Sequence, residues 1–256
     1  MRRRVFTVAA LLVCLSVFAA ALVFVHLRGD ARAVRSGRCL EGLISPYGHG
    51  CWMLGDVDGD GHGDAFAVVH RRLANGKERL FLVVKLRSET LRSWMGDIGD
   101  PAPDGANVAA IAQIDSKAGA ELVVQDWAGA SEAGYTLYTL RKERLARIRT
   151  PYGYQPIQVG GSGGSGSDVS CPFGPSKGVL LVGGSYLWAS KPRVDVWREL
   201  WRLEGIRFVL MRSFKHTYSR KELGPDAFAP EHIPGFPALD GWEFAGCGAY
   251  PGDKAL

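Results

Sequence analysis

No Cys-x-x-Cys pair occurs among the five cysteines, which argues against a zinc site or a dithiol redox centre. No Gly-x-Ser-x-Gly string stands between a strand and a helix. Gly161-Ser162-Gly163-Gly164-Ser165-Gly166 comes nearest and is too glycine-rich to hold a nucleophile elbow. His49, His62, His70, His216 and His232 are scattered. A phosphate loop is missing, as is a dinucleotide fingerprint in its βαβ context. No catalytic residue is therefore assigned. The carboxylate pair of a glycan-cleaving enzyme leaves no such signature, so a polysaccharide hydrolase or lyase stays open as the alternative.

Basic surface is also scarce where it would count. Residues 1–38 hold seven Arg, no Lys and one acid, Asp30, which leaves 24 basic and 25 acidic residues in 39–256. The net charge of +5 belongs to the flanks of an apolar segment. That distribution excludes a nucleic-acid footprint. Hydrophobic content of 46% with 22% charged residues is globular, and 33 glycines favour a turn-rich fold.

What the chain does have begins at its start. Met1-Arg2-Arg3-Arg4 precedes an uncharged run from Val5 to Val25. Its length suits a helix spanning about 30 Å of hydrocarbon. We read residues 1–4 as a cytoplasmic tip, 5–25 as a transmembrane signal anchor, 26–38 as a linker and 39–256 as an extracytoplasmic domain. Ala31-Arg32-Ala33 is a possible cleavage site, and cleavage would make the protein secreted. Arginines flank both ends of the run, so charge does not decide its orientation. Arg28-Gly29-Asp30 spells an adhesion tripeptide, which three residues beside a membrane match by coincidence.

Cys39, Cys51, Cys171 and Cys247 are an even set, and in an exported domain they read as two disulfides with three possible connectivities. Cys39–Cys51 with Cys171–Cys247 is preferred, since the first pair closes a short loop.

The domain reads as β-strands. Ala65–His70, Arg79–Leu86 and Thr90–Met95 follow a first aspartate loop. Ala74-Asn75-Gly76 is a hairpin turn between the first two. Val108–Ile114 leads to Asp115, followed by strands at Glu121–Gln125, Tyr135–Leu140 and Arg144–Arg149. In the last third, Ile157–Val159 leads to a long loop containing Asp168, with strands at 179–182, 194–203 and 206–212. Gly160–Ser167 reads as a flexible loop. Lys221–Gly241 is irregular, and Gly241–Gly246 returns as a final strand carrying Trp242 and Phe244. Asp56, Asp115 and Asp168 are 59 and 53 residues apart, as in a repeated β unit.

Asp56-Val57-Asp58-Gly59-Asp60-Gly61-His62-Gly63-Asp64 is the sharpest chemical signal. Ca²⁺ takes six to eight oxygens, and alternate aspartates in a tight loop supply them. The predicted ligands are Asp56, Asp58, Asp60, the His62 carbonyl and Asp64. An EF-hand is excluded, because Ala67 stands where its closing glutamate belongs.

Tyr47-Gly48, then Cys51–Gly55, the loop, and Ala65-Phe66-Ala67-Val68-Val69 resemble the FG-GAP or VCBS-type repeat of integrin-α-like β-propellers. Val108–Asp115 with Gly119–Val124 resembles a degenerate copy lacking the middle aspartates. The resemblance implies an extracellular, all-β architecture of four-stranded antiparallel blades. Closure takes four to eight blades, and three units are visible with a fourth drawn from both ends. The expectation is therefore a small or incomplete propeller-like array behind an N-terminal transmembrane helix. Its ligand would be a protein or a glycan. Trp94, Trp127, Trp188, Trp197, Trp201 and Trp242 offer a stacking surface, but core packing is the commoner use of tryptophan, and Trp52 is read as core.

Overall fold

In the computed structural model, the described residues are 52–72, 74–75, 78–98, 107–129, 131–161, 165–187, 193–223, 236, 244, 246–247 and 250–251. The expected tip, anchor and linker, and Cys39 and Cys51, lie outside them. No helix among the described residues is long and apolar enough to cross a membrane.

The fold is all-β with antiparallel pairing and is not closed. Four strands form one sheet in sequence order: β1 (Met53–Gly55), β2 (Asp64–Arg72), β3 (Glu78–Lys85) and β4 (Thr90–Ile98). A second four-stranded meander follows, made of β5 (Asn107–Ala112), β6 (Glu121–Ala128), β7 (Glu132–Arg141) and β8 (Arg144–Arg147). The short β9 (Ile157–Gly160) pairs the first half of β7, on the edge whose other half pairs β8. It links this meander to a third: β10 (Ser165–Ser170), β11 (Val179–Leu187), β12 (Arg193–Glu204) and β13 (Arg207–Ser219). A four-residue helix α1 (Arg220–Leu223) follows, and β14 (Tyr250–Pro251) pairs back onto β5.

Strand periodicity explains the packing. Successive side chains point to opposite faces, so an apolar run buries both. In β2, Phe66 and Val68 join Met53, Val57, Leu82 and Val84, while Ala67 and Val69 join Trp52 and Val83. In the second meander Leu122, Val124 and Tyr138 enter the same cluster as Phe66. The alternate residues Val123, Tyr135 and Leu137 instead meet Leu180, Val182, Trp201 and Phe208 of the third. The other face of the third meander gathers Leu181, Val194, Val196 and Phe236. The middle meander is thus apolar on both sides, which is why Glu121-Leu122-Val123-Val124 reads as a continuous run rather than an alternation.

Three expectations are corrected. Asp168 is not in a loop; it lies in β10, paired with Gly183. Of the string expected to be flexible over 160–167, Gly160 ends β9 and 165–167 open β10, while 162–164 lie outside the described residues. Within the expected last strand, 241–246, Phe244 instead sits in a turn at φ 55° with its ring buried, and 241–243 and 245 lie outside the described residues. Its N–H donates to Val169 O (2.7 Å), and the following turn places Cys247 beside Cys171. The two cysteines form a disulfide. Val194–Leu203, which fits helical spacing as well, is strand β12.

Candidate metal loop and its partner loop

The loop between β1 and β2 folds on its own carboxylates. Asp56 accepts from Gly59 N–H (2.6 Å) and Gly61 N–H (3.0 Å), and Asp58 accepts from Asp60 N–H (3.0 Å). Asp64, the first residue of β2, is buried and accepts from Val57 N–H (2.8 Å) and Asp58 N–H (3.3 Å). Gly59 and Gly61 have φ of 83° and 84°, a region open to glycine without strain.

This winding brings Asp56, Asp58 and Asp64 together, with one carboxylate oxygen of each inside a sphere where no pair is more than 4.8 Å apart. Oxygens about 2.4 Å from a Ca²⁺ are separated by at most about twice that, so the three fit one cation. Burial pushes the Asp64 carboxyl above its usual range, as do the charges of Asp58 and Asp56, against the N–H bonds from Val57 and Asp58. Asp60 is not in the cluster. Its exposed carboxylate accepts from His62 N–H (2.7 Å) and lies 3.2 Å from His62 Nδ1. The His62 backbone N–H lowers its pKa. Rotation of this side chain away from His62 would be needed to bring it to an ion.

The corresponding loop of the second meander is closed differently. Asp58 and Asp115 are 57 residues apart, as are Asp64 and Glu121, Val57 and Ile114, and Asp56 and Gln113. The hydrogen bonds confirm this alignment. Glu121 accepts from Ile114 N–H (2.9 Å) as Asp64 does from Val57, and Asp115 accepts from Lys117 N–H (2.9 Å) as Asp58 does from Asp60. Gln113 occupies the place of Asp56 and donates through Nε2 to the carbonyls of Asp115 (3.0 Å), Lys117 (3.0 Å) and Gly119 (3.1 Å). Arg141, from β7, reaches Asp115 (2.5 Å) and Glu121 (3.2 Å). A side-chain amide and a guanidinium thus bind the carbonyls and carboxylates of this loop.

Spacing between aspartates alone pairs Asp56 with Asp115 and misses Gln113, Glu121 and Arg141. An apolar residue followed seven positions later by an acid that opens a strand would have revealed the register. The two loops also touch: Ala120 N–H donates to Asp56 O (3.0 Å), and a Cβ on Gly119 would stand 2.2 Å from Val57 O. Gly178 N–H then donates to Ile114 O (2.7 Å), so the loop before β11 seats on the second loop.

Of the tryptophans, Trp52 and Trp201 are core, Trp94 is exposed and Trp197 is partly buried. Trp188 and Trp242 lie outside the described residues. The chain matches no known family model, no curated protein and no solved structure.

Proposed function

We propose that this is a membrane-anchored, extracytoplasmic calcium-binding β-repeat protein that binds or scaffolds, its three meanders standing as blades of an incomplete propeller-like array. The observation that carries the reading is the convergence of Asp56, Asp58 and Asp64 on one point. A buried carboxylate beside two others is costly without a counter-charge, and in the second loop Arg141 supplies one. A cation is the equivalent for the first. The disulfide between Cys171 and Cys247 supports an oxidising compartment, and residues 5–25 would be the anchor.

Calcium that binds the folded chain stabilises it by linkage, by about 2.7 kcal/mol at a free concentration about 100 times the dissociation constant. Thermal unfolding of the purified protein should shift upward with Ca²⁺ against chelator. Mg²⁺ should substitute poorly, because it prefers a small octahedral shell and keeps its water. Asp58→Ala should erase the difference. An unchanged melting temperature together with no calcium binding by calorimetry would sink the reading.

The hydrolase alternative needs a carboxylate pair in one cleft beside aromatic rings. Glu132 and Glu199 do line one cleft with Trp197 and Trp201. Both oxygens of Glu199 are engaged, however: Oε1 accepts from Tyr152 OH, and Oε2 accepts from Trp201 Nε1 (2.8 Å). That favours a residue that orders the wall over one that transfers protons.

A further inference from the structure

The cleft that contains Glu199 is about 730 Å³, within the range of small-ligand sites. Gly160 at the end of β9 and Gly166 in β10 lie on its lining, as do Val182 and Trp201, which carry it to the core of the third meander. A Cβ on Gly184 would stand 2.4 Å from Gly166 O and 3.0 Å from Trp197 Nε1, so the indole rests directly on this backbone.

Period-two geometry sets the wall. Gly184 and Tyr186 share one face of β11, and Trp197, Glu199 and Trp201 share one face of β12, where Trp197 pairs with Gly184 and Tyr186 with Asp195. Opposite stands Tyr152, in the segment between β8 and β9. Its ring is 55% exposed but not free, because its hydroxyl donates to Glu199 and its edge meets Trp201 with ring centroids 6.3 Å apart. The bond to Glu199 holds that phenol protonated, its pKa pushed up to about 12. An exposed aromatic that is fixed in advance loses little entropy when a ligand stacks on it. Tyr186, on the Gly184 face of β11, is 49% exposed and offers a second ring.

The polar lining defines the ligand class. Gln155, Gln158, Ser167 and Ser185 add polar groups to the lining. Among the described residues of the lining, the charged groups are Glu132 and Glu199, with no Lys or Arg. A phosphate, a uronic acid or a sialic acid would be repelled by these two carboxylates. A pyranose has an apolar C–H face for the rings and a rim of hydroxyls for amides and carboxylates.

We propose that this cleft binds a neutral glycan, with Tyr152 and Tyr186 as stacking platforms and Glu199 as the residue that positions Tyr152. The proposal rests on the binding role above but not on calcium, since the cleft and the aspartate loop share no residue.

The test uses the full chain in a detergent without a sugar headgroup, on an array carrying neutral polysaccharide fragments, protein-linked neutral glycans, sialylated and uronic acid glycans, and proline-rich peptides. Retention of a neutral glycan is expected, with acidic glycans and peptides unbound, and the two neutral arms tell cell-wall from glycoprotein sources. Calorimetry with the retained glycan should then show at least a tenfold loss of affinity in Tyr186→Ala with an unchanged melting temperature. Glu199→Gln should weaken binding, and Tyr152→Phe should do so less. Repeating the titration in chelator separates the readings: glycan binding should persist there, and a chain that retains glycan but shows no calcium binding by calorimetry overturns only the calcium reading. The glycan proposal is overturned if no neutral glycan is retained, if peptide or acidic glycan is preferred, or if folded Tyr186→Ala binds like wild type.

Discussion

Replacing Glu121 with Gln should flatten the pH dependence of stability. The Glu121 side chain is 0% exposed. It accepts from Ile114 N–H (2.9 Å) and Thr139 OH (3.3 Å), and shares Arg141 with Asp115. One guanidinium thus faces two carboxylates. Burial first, and the charge of Asp115 second, push its pKa from 4.5 to about 7. A carboxyl whose pKa is higher in the folded state than in the unfolded chain binds its proton more tightly when folded. Its stabilising contribution is therefore complete below the unfolded value of 4.5 and is lost as pH rises through about 7. At about 1.4 kcal/mol per pKa unit, the loss is about 3 kcal/mol. Urea unfolding followed by tryptophan fluorescence, at constant ionic strength and constant calcium, measures it. Wild type should lose about this much between about pH 5 and pH 8. Glutamine mimics the neutral carboxyl, so the variant should lose that slope and be the more stable protein at the alkaline end. Parallel slopes in the two proteins would refute the argument.

The disulfide between Cys171 and Cys247 closes a loop with a sequence separation of 76, worth about 4 kcal/mol in chain entropy. The Cys171→Ala, Cys247→Ala double variant should melt correspondingly lower, and peptide mapping without reduction should recover the pair from wild type. On the proposed topology, protease added to intact cells should digest the domain; protection until lysis would count against export. Gly119→Ala should be costly, because φ is 89° and the new Cβ would stand 2.2 Å from Val57 O. We expect at least about 2 kcal/mol from strain and overlap together, while Gly63→Ala, which meets nothing within 4 Å, should be near neutral. Equal melting temperatures for the two variants would contradict the packing of the two loops.

Strands with a local cause were legible in the sequence. β2 announces itself because an acidic Gly-rich loop runs into Ala65-Phe66-Ala67-Val68-Val69, and the hairpin after it has Asn75 at its turn. Elements with a tertiary cause were not. β10 is Ser165-Gly166-Ser167-Asp168-Val169-Ser170, a sequence of low strand preference, and it is held by six paired positions on β11. Phe244 resembles a strand residue, but Val169 O and the disulfide fix it in a positive-φ turn. The seat of Trp197 on Gly184 was hidden for the same reason, since a glycine in sequence does not reveal which indole will lie on it.

The aspartate loop shows the same division at finer grain. Its four aspartates are visible in sequence, but which of them converge depends on backbone. Asp64 is recruited because β2 begins there and buries it, and Asp60 is diverted because its carboxylate accepts from His62 N–H. In the second loop the signal disappears from a search for aspartates, although the fold is retained. Gln113 donates to three carbonyls, and Arg141 neutralises the acids from a strand 20 residues beyond Glu121. Both loops solve one electrostatic problem, a set of oxygens gathered at a strand start. The second carries its own counter-charge on the chain, and on the calcium reading the first takes it from solution. One ion per chain between these two loops follows, and stability should respond to chelator through the loop of β1 and β2 alone.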